Sequence, residues 1–293
     1  SLDVSTFNTS NVIDMNSMFL QTSKLTSLDV SSFDTSNVTD MNSMFSQTSK
    51  VTSLDVSSFD TSNVKNMSSM FSGAGVTSLD VSSFDTSNVT DMNSMFSQTS
   101  KVTSLDVSSF DTSNVKDMSF MFWGAGVTSL DVSSFDTSNV KDMSWMFSDA
   151  GVTSLDLSTF NTSNVTDMRL MFSQISKLTS LDVSSFNTAN VTCMRDMFDF
   201  KTRYFKELKL GSNFKFLSDA ALNDINYSPT GMWQNVGTGT NEQPNGKFIM
   251  SSSELMSDYD GSTMADVYVW QPAIQTAVNV HDSTLYIGTE WES

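Results

Sequence analysis

Residues 28–53 read LDVSSFDTSNVTDMNSMFSQTSKVTS, and copies of this stretch fill most of the chain. The copies begin at Leu2, Leu28, Leu54, Leu79, Leu105, Leu130, Leu155 and Leu181, so successive starts lie 26, 26, 25, 26, 25, 25 and 26 residues apart. A fixed period of this size is typical of stacked arrays, in which each unit buries its apolar face against its neighbours. The sequence therefore predicts a solenoid with a core that runs along one axis.

The first half of each repeat has the pattern of a β-strand. In the stretch 51–57, Leu54 and Val56 alternate with Asp55 and Ser57. Alternation of apolar and polar residues is typical of a half-buried strand, whose successive side chains point to opposite faces. We expect the leucine and valine to point inward and the aspartate outward.

The second half of each repeat has a different period. Val38, Met41, Met44 and Phe45 stand at offsets 0, 3, 6 and 7, which would place them on one stripe of an α-helix. Capping residues fill positions 35–37 just before them. The pattern predicts a short amphipathic helix in every repeat.

Together the two halves predict an α/β solenoid. We expect a right-handed, leucine-rich-repeat-like coil with a parallel sheet on one face and short helices on the other. Two methionines and two phenylalanines at fixed positions of each repeat account for 16 of the 20 methionines and 16 of the 22 phenylalanines, so these residues are interpreted as stacked core ladders rather than as a methionine metal site. Asn37 and its copies are expected to bond backbone groups at each bend.

Changes in the sequence pattern divide the chain into four segments. They are eight repeats over 1–198, a closing cap over 199–216, a small β-rich unit over 217–278, and the start of a truncated module over 279–293. Residues 205–210 scan as a ninth strand, 252–259 as a short helix and 266–270 as a strand. The chain opens inside a repeat, which predicts that it is a fragment of a longer protein.

Charge and cysteine content limit the possible partners. The net charge is −18 and there is one cysteine, which argues against a nucleic-acid or membrane-surface partner, a disulfide framework and a cysteine metal site. No signal peptide or membrane-spanning run is present. A cationic or neutral polar partner fits better. The closing cap carries a basic cluster of Lys201, Arg203, Lys206, Lys209 and Lys215.

One aspartate per predicted strand should form an outward column. Its members are Asp3, Asp29, Asp55, Asp80, Asp106, Asp131, Asp156 and Asp182. Neighbouring charges about 5 Å apart repel by roughly 0.8 kcal/mol in water. The column could be a hydrogen-bonded surface that protects the sheet edge, a ligand face for glycan hydroxyls or cationic groups, or a Ca²⁺ ladder. Lys209 takes the same position in the ninth strand and should neutralise the end.

Departures from the repeat mark a second candidate site. The position before the second methionine is serine in copies one to four, then Phe120, Trp145 and Leu170; the position after the phenylalanine becomes Trp123 in copy five. Stacking should gather these four side chains into one apolar patch, and such patches commonly mark interaction sites. Alternatives are that residues 217–278 cover the patch, that it is a crystal or dimer contact, or that it has neither role.

Catalysis has little support in the sequence. His281 is the only histidine and lies far from the array, and the aspartates are uniform copies rather than a distinctive constellation. We therefore expect no enzyme and no cofactor.

The pattern L-D-x-S-x-F-D/N-T-S-N-V-x-D-M-x-x-M-F, as in residues 28–45, resembles the 26-residue surface-protein repeat of BspA-like leucine-rich-repeat adhesins from lactobacilli and related lactic-acid bacteria. Residues 233–271 look like the unit that often follows such repeats, and residues 280–291 are similar to the opening strand of an immunoglobulin-like or mucin-binding module. The resemblance implies an extracellular, wall-anchored protein.

The expected function is therefore a non-enzymatic adhesin domain that binds host mucus, mucin glycans or an epithelial or matrix protein. A stiff acidic spacer that displays other modules is the alternative, and the sequence does not indicate an oligomeric state.

Overall fold

The computed structural model describes residues 2–200, 202, 204–223 and 230–272. Within these residues the repeats stack as coils, with equivalent positions one above another. The Phe45 N–H donates to the Met70 carbonyl at 2.9 Å, and the Phe71 N–H donates to the Met95 carbonyl at 3.0 Å. The predicted stacked array is therefore present, whereas the right-handed sense of the coil stays a prediction.

A ladder of backbone hydrogen bonds, here called the flank ladder, joins the second halves of the repeats. The N–H groups of Met41, Ser43, Phe45 and Gln47 donate to carbonyls of the next coil at 2.7–3.0 Å. Alternate N–H groups thus bond to a neighbouring chain segment, as in parallel strands. The predicted helix in this half of the repeat is therefore wrong.

Tight turns replace the predicted helix. The Met44 N–H bonds to the Met41 carbonyl at 3.2 Å, and the Thr48 N–H bonds to the Phe45 carbonyl at 3.3 Å. Ser43 and Gln47, the third residues of these turns, have φ values of 54° and 58°. A turn with a positive φ at its third residue reverses the direction of the chain, and two such turns follow each other here. They bring the apolar residues to one side at a spacing that resembles the apolar stripe of a helix.

The predicted sheet is also confined to one end of the array. Among the described repeats only Ser180–Val183 forms a regular strand, β1, which pairs in parallel with β2, Glu207–Leu210. Other coils touch at this face through single pairs such as Leu2 with Leu28. The inward positions are nevertheless as predicted, because Leu54 and Val56 are buried.

Phenylalanine rings form the predicted core ladder. The rings of Phe45, Phe71 and Phe96 stack with centroids 5.8 and 5.9 Å apart, and the series continues through the array. The Asn37 side chain donates to the Ser10 carbonyl at 2.8 Å, and its copies repeat this bond. These contacts confirm the interpretation of both residues as ladders.

A ninth coil closes the array and reaches farther than predicted. The Phe198 N–H donates to the Ala220 carbonyl at 3.0 Å, so the flank ladder continues past residue 216 to this point. Phe205, Phe214 and Phe216 are buried in the closing coil. The cap therefore includes the first residues assigned from sequence to the following unit.

The C-terminal unit extends the sheet of the closing coil. It contains β3 Trp233–Asn235, β4 Ile249–Met250, α1 Ser252–Asp258, α2 Gly261–Met264 and β5 Asp266–Trp270, in the sheet order β1-β2-β5-β3-β4. The predicted short helix and the strand over 266–270 are confirmed. A capping box of Ser251 and Glu254 begins α1. The predicted module over 279–293 lies outside the described residues.

Strand β5 pairs with β2 in antiparallel orientation, which docks the unit on the end of the array. Trp270 Nε1 donates to the Phe205 carbonyl at 3.0 Å, and the buried Tyr259 hydroxyl donates to the Gly211 carbonyl at 2.9 Å. Helices α1 and α2 have seven and four residues, so in the described chain neither helix qualifies as a candidate membrane span.

Candidate functional site

The flank ladder sets the direction of the side chains that depart from the repeat. Met118 and Met121 bracket a turn closed by a 3.2 Å hydrogen bond, and Phe120 is its third residue with a φ of 58°. Trp145 and Leu170 take the same place in the next two coils, with φ values of 61° and 55°. The methionines on either side are buried, whereas these three side chains are half-buried at the surface.

Three aromatic rings meet on this surface and are here called the aromatic cluster: Phe120, Trp123 and Trp145. The rings of Phe120 and Trp145 stack with centroids 5.4 Å apart and planes 12° from parallel. Trp123 lies 5.7 Å from the first ring and 5.9 Å from the second, with its plane turned by 77° and 73°. Because it is nearly equidistant from both, Trp123 lies beside the stacked pair. Leu170 holds the equivalent turn position in the next coil.

Trp123 occupies a place that other coils give to a buried serine. Ser97, Ser148 and Ser173 hold this position elsewhere and are buried. The hydroxyls of Ser148 and Ser173 are buried without a hydrogen-bond partner in the described chain. Such a hydroxyl costs free energy. The two coils that carry Trp145 and Leu170 therefore also accept a local loss of stability.

The C-terminal unit packs away from the aromatic cluster. Its described contacts with the array fall on the closing coil, through Phe205, Gly211 and β2. The flank ladder leads from Trp145 to Arg169 and from Leu170 to Arg195, and then reaches the closing coil. Three steps of about 4.8 Å thus separate Trp145 from the closing coil. In the described residues the cluster is not covered by this unit.

A second acidic column lies on the flank, and sequence reasoning missed it. Residues at one position of the flank ladder pair coil to coil and form the flank column: Asp14, Asp40, Asn66, Asp91, Asp117, Asp142, Asp167 and Cys193. The aspartate recurs in the sequence, but the predicted helix gave no reason to expect a paired column. Recognising the turns would have placed it in a column.

Burial and mutual repulsion act on the flank column. Burial raises the pKa of Asp142, and the charges of Asp117 and Asp167 raise it further against hydrogen bonds from Ser144. Asp91 has a raised pKa, again chiefly through burial. At the seventh coil Arg169 pairs with Asp167, with Nε 2.8 Å from Oδ2. These carboxylates hold negative charge in a half-buried place.

The predicted aspartate column, here called the sheet-face column, is exposed to water except at the half-buried Asp182. Asp55 Oδ1 accepts hydrogen bonds from the Ser57 hydroxyl at 2.7 Å and the Ser57 N–H at 3.0 Å, which lower the Asp55 pKa. The same pair of bonds recurs at Asp3, Asp29, Asp80 and Asp106. The remaining predicted members accept at least the backbone bond: Asp131, Asp156 and Asp182.

Lys209 neutralises the end of the sheet-face column, as predicted. It pairs in register with Asp182, and its Nζ lies 2.8 Å from Oδ2. Two other members of the predicted basic cluster, Lys201 and Arg203, lie outside the described residues.

Metal binding finds no constellation in the described chain. No group of three or more His, Cys, Asp or Glu side chains there is arranged to hold a metal ion, which disfavours the Ca²⁺ ladder. His281 lies outside the described residues. The flank presents aromatic rings and half-buried carboxylates.

Comparison with known proteins gives one family and one distant fold. The family model described as "Mycoplasma protein of unknown function, DUF285" matches residues 1–104, 49–157 and 126–223. No curated protein matches the chain. The solved functional domain of InlJ from Listeria monocytogenes, described as including a cysteine ladder, is 20% identical with a TM-score of 0.30. That match covers 76% of this chain and 50% of that one, and at such a TM-score it supports no argument about the site.

Proposed function

The chain belongs to the DUF285 repeat family, and we propose that it is a non-enzymatic adhesive region of a bacterial surface protein. The partner is host mucus, a mucin glycan, or an epithelial or matrix protein. The repeats are in this proposal of the BspA-like type found in lactic-acid bacteria, and the protein is extracellular and anchored to the wall through a part outside residues 1–293. The resemblance of the repeat pattern supports this placement.

The aromatic cluster carries the proposal. Phe120 and Trp145 hold φ values of 58° and 61°, a region that costs roughly 1–2 kcal/mol for a residue with a side chain and is uncommon for bulky residues. Earlier coils place serine there. A scaffold gains nothing from half-exposed rings at strained positions, whereas strained residues commonly cluster at binding sites. Selection for contact with a partner explains the substitutions.

A rigid acidic spacer is the second candidate. Continuous phenylalanine stacking and coil-to-coil hydrogen bonds favour a stiff rod, and the sheet-face column would keep it soluble. This function does not need the aromatic cluster. The two proposals therefore differ in whether residues 1–293 bind a host molecule on their own.

Retention of host molecules on the immobilised chain separates these functions. Purified mucin, epithelial membrane proteins and matrix proteins are passed over residues 1–293 and over an unrelated protein of equal negative charge. The adhesin proposal expects saturable binding of at least one of them to the chain alone. Equal retention by both surfaces would overturn it and leave the spacer.

A further inference from the structure

The aromatic cluster and the flank column form one strip. Asp117 stands three residues before Phe120, and Asp142 three residues before Trp145, so each pair of Cα atoms lies within about 10 Å. Neighbouring coils repeat at about 4.8 Å. Rings and carboxylates therefore lie side by side over coils five and six, within reach of one bound segment.

In the described chain the carboxylates of Asp117 and Asp142 in this strip have no cation paired with them. Asp117 and Asp142 are half-buried neighbours of the same sign. Lys116 and Lys141 precede them and are exposed, yet in the described chain neither lysine forms an ion pair with the column. Serine hydroxyls bond carboxylates in both columns, at Asp117 as at Asp55. The sheet-face column differs because all but one of its carboxylates are exposed to water, which screens their charge, whereas those of the strip are half-buried. Half-buried carboxylates without an ion-pair partner among the described residues therefore lie beside the aromatic cluster.

The next coil shows how a cation can pair with a carboxylate of the flank column. Arg169 replaces the small residue of the turn, and its Nε lies 3.0 and 2.8 Å from the two Asp167 oxygens. Its guanidinium pKa is raised, first by the bond to Asp167 and also by Asp142. The column therefore accepts a guanidinium from the chain itself. At Asp117 and Asp142 that cation has to come from outside.

We infer that the strip formed by Phe120, Trp123, Trp145 and the carboxylates of Asp117 and Asp142 binds a lysine- or arginine-rich segment of a protein partner. This inference rests on the proposed adhesive function and narrows its partner class. A cation within about 6 Å of a tryptophan ring is attracted by the ring quadrupole, and the carboxylates add charge complementarity. An anionic mucin glycan would be repelled by the same carboxylates.

Titration with a synthetic lysine-rich peptide, against a glutamine peptide of equal length, tests the inference. Binding is followed by calorimetry and by tryptophan fluorescence. Trp123→Ser and Trp145→Ser each give back the residue of other copies and should weaken lysine-peptide binding roughly threefold to thirtyfold. Asp117→Asn with Asp142→Asn should also weaken it, and Asn66 shows that the fold tolerates this residue. The matched control is Asp80→Asn with Asp106→Asn on the sheet-face column.

The outcomes separate this inference from the adhesin proposal. A lysine peptide that binds wild type, with losses confined to the strip variants, supports the inference. Equal losses in the sheet-face control show diffuse charge attraction and overturn it. Absence of peptide binding, while mucin or a matrix protein is still retained, overturns the inference and leaves the adhesin proposal standing. If neither the peptide nor any host molecule binds, both fail.

Discussion

The indole ring of Trp145 stacks on the phenyl ring of Phe120 with centroids 5.4 Å apart, although the two residues are 25 positions apart in the chain. The contact exists because both occupy the third residue of equivalent turns in adjacent coils. Because the repeats stack, residues that depart from the repeat pattern in successive copies form one continuous surface. The constant positions build the core, and the exceptional positions form the candidate site.

Replacing serine by glycine at the left-handed turn position should stabilise the array. Ser69 has a φ of 56°, which glycine adopts without steric cost. We expect Ser69→Gly to raise the free energy of unfolding by roughly 1 kcal/mol, measured by urea denaturation. Ser53→Gly is the matched control, because Ser53 is outside the positive-φ set and glycine there should lower stability. A loss of stability in Ser69→Gly would contradict the turn assignment.

The two acidic columns should give opposite responses to acid. The Asp55 pKa is lowered by its serine, so its contribution is full above the unfolded value near 3.9 and is lost as the pH falls below that value, through the lower folded pKa. The Asp142 pKa is raised, so the native state is penalised at neutral pH, and stability rises as the pH falls through that raised pKa. Thermal melting followed by circular dichroism should show greatest stability on the mildly acidic side of pH 7.

Asp142→Asn isolates the flank contribution to that profile. The variant should be more stable than wild type at neutral pH and should gain less on acidification, because its charge is already removed. Asp106→Asn, in the sheet-face column, should keep the acid-side gain. A wild-type melting temperature that falls steadily from neutral pH downward would show that the flank column does not titrate as described.

The docking of the C-terminal unit should depend on the Tyr259 hydroxyl, which donates to the Gly211 carbonyl from a buried position. Tyr259→Phe removes this bond, and the carbonyl keeps its bond from the Phe214 N–H. We expect a loss of about 1 kcal/mol in the free energy of unfolding. Hydrogen exchange should locate the effect at β2. Unchanged protection of β2 would mean that the hydroxyl has no part in docking.

Removal of the C-terminal unit should cause self-association. A chain ending after residue 223 lacks β5, so it exposes the edge of β2 and uncovers Phe205 and Phe214, which are now buried. Open strand edges and uncapped repeat ends associate readily. Size-exclusion chromatography with light scattering should show larger species than the full chain gives. A chain ending after residue 272 retains β5 and should behave as the full chain does.

Stacking and core positions could be predicted from the sequence, since a strict period fixes which residues repeat along the axis. The backbone conformation of the second half of each repeat could not be predicted. The offsets of Val38, Met41, Met44 and Phe45 fit a helix and also fit linked turns. The positive φ values at the turns and the hydrogen bonds of the flank ladder separate the two. Glycine at the Gln47 position in copies three and five was the available signal. Because the turns were not predicted, the flank column was not predicted either.

The aromatic residues could be selected from sequence because they break the repeat. Their mutual stacking required the register of the coils, which the period supplies. The position of the C-terminal unit could not be predicted, because antiparallel pairing of β5 with β2 joins segments about sixty residues apart without a sequence signal. That pairing closes the end of the array and, within the part of the chain that the structure describes, leaves the flank uncovered.

In the proposed function the aromatic cluster binds a partner and the repeats only carry it. Its most direct test measures retention of a bound host protein together with thermal stability in the triple variant Phe120→Ser, Trp123→Ser, Trp145→Ser. Leu20→Ser is the matched control, because Leu20 holds the Trp123 position in the first coil and is exposed. We predict an unchanged melting temperature with at least tenfold weaker binding in the triple variant only. Wild-type binding by a folded triple variant would contradict the account.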